Sequence, residues 1–276
     1  MHRPSHVNID GDILLYAVGF AAQRTVWMVD GKTFEDKLDA FDYAEKYNID
    51  EEVETAIRPE PVAHALSTVK KLLQRIIDGS GCATHTVLLS GSDNFRNDVA
   101  TIQEYKGNRI SQKPYHYLNI RNYLVDVRHA EVVEGEEADD QLSVRCVEKG
   151  HMIATIDKDL RNTSGWHFNW NKDEEPVFIN AVEADRNFYT QLFTGDSTDN
   201  IPGLFRITGK KASAKMKGAL QDMTDPAEMY QHVHDCYEEA GCEQTSDTLL
   251  EIGRLLWMRR TDGEMWAPTT SESKSD

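Results

Sequence analysis

The sequence predicts an α/β domain with a mainly parallel sheet, followed by a C-terminal region built of helices. Three observations carry this reading. Short apolar runs alternate with amphipathic helical patterns as far as about residue 180. From Ala181 onward the patterns are helical only. Acids crowd where the apolar runs end, and chemistry in open parallel sheets gathers beyond the carboxyl ends of the strands.

Taken in order, His6 to Asp10 reads as a strand that runs into Gly11, and Ile13 to Ala22 fits a buried helix. Val26 to Phe34 looks like a hairpin around Asp30-Gly31. Phe41 to Tyr47 is amphipathic. Pro61 to Asp78 is a stronger helix, with apolar Val62, Leu66, Val69, Leu72, Leu73, Ile76 and Ile77. Thr86 to Leu89, Glu131 to Val133 and Met152 to Ile156 read as buried strands. Helical patterns at Tyr115 to Leu124 and Ala138 to Lys149 lie between them. The C-terminal helices are expected at Ala184 to Phe193, Gly209 to Leu220, Ala227 to Glu239 and Asp247 to Met258.

The 276 residues are 39% hydrophobic and 28% charged, an ordinary soluble composition with enough chain to bury a core without staples. The longest apolar run, Ile13 to Ala22, is too short to span a bilayer. The N-terminus, MHRPSHVNIDGD, lacks the apolar stretch of a secretory signal. Four scattered cysteines suggest a reducing cytoplasm. Without a CxxC pair or an HExxH spacing they point away from zinc.

A net charge of −17, from 47 acids and 30 bases, argues against nucleic acid as a partner when taken as an average. The distribution says more. Tyr105 to Val125 holds no acid but carries Lys106, Arg109, Lys113 and Arg121. Asn200 to Gln221 again holds no acid but carries Arg206, Lys210, Lys211, Lys215 and Lys217. Acids dominate most strongly from Glu35 to Glu60.

Carboxylates fall at the expected strand and helix ends. Asp10 closes the first strand. Glu137, Asp139 and Asp140 open a helix, Asp157 and Asp159 follow a third strand, and Asp199 follows the first C-terminal helix. Two carboxylates about 5 Å apart repel by roughly 3 kcal/mol at an effective dielectric near 20. A cluster of this size therefore calls for cations. Hard oxygen donors without His or Cys select Mg²⁺ or Mn²⁺, and the surplus of acids suggests two ions.

The segments IDGD at 9–12, EYKGNR at 104–109, EADD at 137–140, DKDL at 157–160 and GDSTDNIPG at 195–203 fall in a telling order and spacing. Over about residues 6–220 the chain resembles the 5′→3′ exonuclease/flap endonuclease superfamily, most closely the short stand-alone phage exonucleases of the T7 type. The resemblance implies a PIN-like nuclease core over 1–180, a helical DNA-binding region with a helix-hairpin-helix element over 181–264, and a disordered tail over 265–276. It implies hydrolysis at the 5′ ends of duplex or flap DNA, with RNA–DNA hybrids as further candidates, by a monomer in the cytoplasm, the host's if the chain is phage-encoded.

Residue by residue, the resemblance places Asp10, Glu137 and Asp139 around one metal. It places Asp140, Asp157, Asp159 and Asp199 around the other, with Asp196 acting through water. Lys106 resembles an active-site lysine that offsets charge on the attacked phosphate, supported by Arg109. Tyr105 is either a stacking platform for an unpaired base or a core aromatic. Lys113 follows where longer relatives insert a helical arch. Thr208 would cap a helix from Gly209, offering backbone phosphate a positive helix end, with Lys210, Lys211 and Lys215 beside it. Family members often bind K⁺ there, but Arg206 and Thr208 replace the usual glycines. Gly91 stands where the family carries a strand-end aspartate, leaving Asp93 or Asp12 to replace it. Two other readings use the same residues: a ribonuclease on a PIN-like core, and a non-catalytic acidic DNA mimic.

Overall fold

The computed structural model of the chain describes residues 3–109 and 112–269, so most of the expected tail, 270–276, lies outside the described residues. In chain order the elements are β1 (His6–Asp10), α1 (Gly11–Ala21), β2 (Gln23–Val29), β3 (Lys32–Phe34), α2 (Lys37–Tyr47), β4 (Glu54–Pro59), α3 (Val62–Ser80), β5 (Thr84–Ser90), α4 (Arg96–Val99) and α5 (Tyr117–Asn122). A π-helical turn at Tyr123–Val127 extends α5. There follow β6 (Glu131–Val133), α6 (Ala138–Cys146), β7 (His151–Ala154), β8 (Gly165–Phe168), β9 (Val177–Ile179), α7 (Ala181–Thr194), α8 (Leu204–Thr208), α9 (Ala214–Ala219), α10 (Pro226–Ala240) and α11 (Thr245–Leu256).

The chain forms two compact units. One takes the chain as far as Gly11, the segment from Ile76 through the 104–109 loop, and everything from Ala130 onward. The other is Asp12–Arg75 with Gln112–His129, so the first 180 residues are shared between the two.

The first unit holds a six-stranded sheet in the order β6-β5-β1-β7-β8-β9. All neighbours are parallel except β8 and β9. β1 is central and buried from Val7 to Asp10, with the apolar Val7 and Ile9 alternating with the buried polar Asn8 and Asp10. On α6, Ala138, Leu142 and Cys146 recur every four residues and pack on Leu88, Ile153 and Leu160. The C-terminal helices build a second core around Phe188, Phe193, Tyr237, Leu249 and Trp257. Trp266 joins it at 5% exposure, so ordered chain continues past residue 264. Gly253 makes this possible, because a Cβ there would lie 2.2 Å from the indole of Trp266.

The second unit holds the antiparallel sheet β3-β2-β4, with the expected hairpin turning at Asp30-Gly31. β4 was not foreseen: most of its residues are exposed, so no alternation of apolar and polar residues marks it. On α1, Gly19 leaves room for the ring of Pro114, 2.5 Å from where a Cβ would stand.

The segment after Gly203 departs from expectation. A helix was expected from Gly209, capped by Thr208. Instead Leu204–Thr208 is itself helical and Gly209 ends it in the left-handed conformation, φ 75°. Thr208 Oγ1 bonds back to Leu204 O at 2.8 Å and is not an N-cap. The next helix starts at Ala214, capped by Ser213, whose hydroxyl accepts from Met216 N at 3.1 Å. Lys210 and Lys211 therefore lie in the loop between two short helices.

Candidate metal centre

Parallel pairing sets the carboxyl ends of β6, β5, β1, β7 and β8 along one edge of the sheet. At the end of β1, Asp10 is 1% exposed and accepts a bond from Thr155 Oγ1 at 2.7 Å. Thr155 follows β7, and its Oγ1 accepts in turn from Asp157 N at 3.0 Å. Asp157 Oδ1 then accepts from Asp159 N at 2.9 Å, which turns both carboxyls off the strand end together. At the mouth of α6, Glu137 is the N-cap residue, with Asp139 and Asp140 in the first turn. Ser90, the last residue of β5, accepts from Ala138 N at 2.9 Å and so seats this helix on the sheet edge.

Two loops complete the site. In the 195–203 segment, Asp196 and Ile201 pair through both backbone bonds, 3.0 and 2.7 Å. Asp196 Oδ1 accepts from Thr198 N at 2.7 Å. Gly195 and Gly203 close this turn. A Cβ on Gly195, at φ 62°, would stand 2.4 Å from Gly203 N. The 104–109 loop docks on it through Lys106 N to Asp199 O, 2.9 Å, Asn108 Nδ2 to Ser197 O, 2.7 Å, and Asn200 Nδ2 to Glu104 O, 2.9 Å. Lys106 adopts φ 57°, uncommon for a side-chain-bearing residue, which turns the loop onto its partner.

The result is a cleft of about 170 Å³ lined by Glu137, Asp139, Asp157, Asp159, Asp196 and Asp199. Lys106, Arg109 and Lys158 share it. Lys106 Nζ contacts Glu137 Oε1 and lies 3.6 Å from Asp199 Oδ2, and Arg109 pairs with Asp199 Oδ1. The Tyr105 hydroxyl lies 2.8 Å from both Glu137 Oε2 and Asp199 Oδ2. Burial, with the charge of Glu137, pushes that hydroxyl well above its ordinary pKa and keeps it a donor. One proton serves only one of the two acceptors at a time. Desolvation raises the pKa of Asp157. Asp159, desolvated and crowded by Asp157 and Asp196, is pushed up to about 7.

This donor set fits divalent cations. Every candidate ligand is a hard oxygen, and six carboxylates face only three cationic side chains not already committed elsewhere.

Three expected ligands are placed differently. Asp140 is fully buried and paired with Arg96 through two bonds of 2.5 and 2.9 Å, so it is a structural anchor and does not face the cleft. Arg96 also donates to Leu255 O at 2.9 Å and Trp257 O at 2.8 Å, and its Nη1 lies 3.8 Å from Glu137 Oε2 at the cleft wall. Asp10 lies buried at the end of β1, bonded to Thr155 Oγ1. Asp93 is exposed and apart from it. The space beside Gly91 is taken by Glu134: a Cβ on Gly91 would fall 2.2 Å from Glu134 Oε2. Asp12 stands in the first turn of α1.

Tyr105, at 7% exposure, packs in the helical core while also lining the cleft, which favours the core reading of its ring. Arg96 and Gln191 were missed. Gln191 Nε2 donates to Asp159 Oδ1 at 2.5 Å, and a helical Gln carries no sequence signal for that role. Arg96 had only its place after a strand end to mark it. Among the basic residues outside the cleft, Arg206 bonds Asn200 Oδ1 at 2.7 Å, Lys210 reaches Glu239 O at 3.4 Å, and Lys211 lies over the Phe205 ring. Lys215 is exposed on α9. Lys113, in the second unit, lies 4.2 Å from the Tyr117 ring centre.

A mainly parallel sheet flanked by helices, with carboxylates gathered on its carboxyl edge, defines a PIN-like α/β fold. The T5 D15 protein co-crystallised with metal ions has this fold, with a TM-score of 0.54 and 16% identity over 91% of this chain and 88% of that one. A complex of the bacteriophage T5 D15 flap endonuclease with DNA and metal ions (TM-score 0.47, 16% identity, 91% and 88% covered) and a T5 5′-exonuclease (TM-score 0.42, 14%, 92% and 98%) are also similar. No protein-family profile and no curated protein matches the sequence.

Proposed function

We propose that the chain is a metal-dependent nuclease that hydrolyses phosphodiester bonds at the 5′ ends of DNA. The observation that carries this is the cleft in which Glu137, Asp139, Asp157, Asp159, Asp196 and Asp199 converge with Lys106 and Arg109 beside them. The order of the motifs and the T5-like fold support the same reading. The six carboxylates would hold two Mg²⁺ or Mn²⁺ ions, which supply an activated water and charge relief at the leaving oxygen.

The chain's own groups do the rest. Tyr105 and Lys106 hold Glu137 and Asp199 in one arrangement before substrate arrives. Lys106 and Arg109 are the cations nearest the carboxylates, so an entering phosphate meets them first. They offset the charge that grows on its oxygens. Gln191 orients Asp159. The basic stretch from Arg206 to Lys217, with its exposed lysines, holds duplex backbone without reading bases.

The test is digestion of a 5′-labelled duplex with and without Mg²⁺, alongside a 3′-labelled copy, a 5′-flap substrate and an RNA–DNA hybrid. Release of label from the 5′ end that EDTA stops and Asp157→Ala abolishes is expected. No cleavage of any of these substrates in Mg²⁺ or Mn²⁺ overturns the proposal.

A further inference from the structure

The nuclease reading leaves the acidic stretch Glu35 to Glu60 without a role. It holds ten acids and three bases, a large share of the net charge of −17. It folds into α2, β4 and their connection. The inner face of α2 is used: Ala40 is fully buried, and the Tyr43 ring lies 5.3 Å from that of Phe34 on β3. Its outer face is open to solvent, with Lys37 Nζ 5.5 Å from the centre of the Phe41 ring. Leu38 and Phe41, three residues apart and so neighbours on the helix, are 70% and 48% exposed. Beside Phe41 the chain leaving α2 folds back to form a groove of about 750 Å³, floored by Phe41, Ala44, Ile49 and Val53. Glu45, Asp50, Glu51 and Glu52 rim it, and among the described residues no Lys or Arg lines it.

An apolar floor inside an acidic rim selects its occupant by sign. Nucleic acid and anionic lipid surfaces are repelled. A second copy offering the same face meets the same charge. We infer that this groove docks a cationic amphipathic segment of another protein, with apolar side chains seated on Phe41, Ile49 and Val53 and Lys or Arg facing Glu45, Asp50 and Glu52. Exposed apolar surface supplies the affinity, and the rim supplies orientation and rate of encounter.

The experiment titrates the full chain into a labelled 18-residue Lys/Leu amphipathic peptide and follows its fluorescence anisotropy. An oligolysine of equal charge and a Gln/Leu analogue serve as comparison probes. Saturable binding is expected for the Lys/Leu peptide, at least tenfold tighter than for either comparison. Burial of one Phe or Leu is worth about tenfold or more in affinity. Leu38→Ser with Phe41→Ser, and separately Glu45→Lys with Glu52→Lys, are expected to weaken it at least tenfold while leaving the melting temperature unchanged. These side chains are exposed, so folding does not depend on them. Absent binding, equal binding of oligolysine, or unchanged affinity in folded variants overturns the inference. So does self-association of the wild-type chain in sedimentation that the Leu38/Phe41 variant abolishes.

Discussion

Lys106 and Arg109 pair with the cleft carboxylates, and the proposed function gives them a part in catalysis that substitution can separate from binding. Lys106 sits against Glu137 and near Asp199, which a bland ion pair would also produce. If its ammonium meets charge that develops on phosphate, the loss in Lys106→Ala falls on the chemical step, about 10²–10³ in single-turnover rate. Lys106→Arg is expected to rescue only in part, because a planar fork does not replace a compact ammonium. Cleavage with enzyme in excess, alongside binding in Ca²⁺, separates the two roles, and a rate within threefold of wild type sinks the catalytic one. Tyr105 gives a contrasting case. Its ring is buried, so Tyr105→Phe is expected to leave affinity for a frayed 5′ end unchanged and to lower the rate through the freed Glu137 and Asp199 carboxyls. A large loss of affinity with an intact rate would return the ring to the substrate path.

Asp159 makes a further residue-scale prediction. Its folded pKa near 7 stands above the ordinary carboxylate value near 4, so the folded state binds the extra proton. Without metal, this carboxyl costs stability that is absent below about pH 4, grows as pH rises, and is complete above about pH 7. The cost is at most about 4 kcal/mol. His167, held down to about 4 by burial, works in the opposite direction and lowers stability as pH falls below 6.5. The readout is therefore the difference between wild type and Asp159→Asn, melted in EDTA from pH 4.5 to 8. The variant is expected to gain on wild type as pH rises. A flat difference would show that Asp159 is not crowded.

At the scale of elements, the Arg96–Asp140 pair joins α4 to the first turn of α6 and to the end of α11. Removing one partner leaves a buried charge, so Arg96→Ala is expected to cost about 3–5 kcal/mol in denaturant melts. A cost under 1 kcal/mol would mean that Asp140 is free to turn toward the cleft. The loop between α8 and α9 carries the second element-scale prediction. Lys210 and Lys211 sit in a loop and not on a helix, and the proposed function gives them phosphate contacts with duplex DNA. Replacing both with Ala is expected to flatten the log–log salt slope in Ca²⁺ by about one to two units. An unchanged slope removes this loop from the DNA path.

At the scale of the whole molecule, the proposed metal centre would couple folding to metal through the cleft's excess of carboxylates. Saturation to about 100 times Kd stabilises a fold by about 2.7 kcal/mol per site. Mg²⁺ is therefore expected to raise the melting temperature of the wild-type chain by several degrees, and Asp157→Asn to lose most of that rise. Equal rises in both would indicate general screening of a −17 chain and not a site.

What the sequence determined by itself follows from its periodicities and its motifs. The strands at β1, β5, β6 and β7, most of the long helices, the carboxyl edge and the six cleft acids were legible, whereas the exposed β4, the antiparallel β8–β9 pair and the short helices α4 and α8 were not. Strand burial writes itself as apolar runs, and parallel pairing fixes which ends share an edge. What only the tertiary structure decided depends on neighbours distant in sequence. Asp139 and Asp140 are adjacent acids in one motif, but they lie 100° apart on a helix, and Arg96, 44 residues away, takes the buried one. Tyr105 turned inward because the C-terminal helices supply a core for its ring while Glu137 and Asp199 supply acceptors for its hydroxyl. Glu134 fills the space that Gly91 leaves open. None of these choices is local: each is made by the free energy of satisfying a buried polar group, and the partners that satisfy it meet only when the chain has folded.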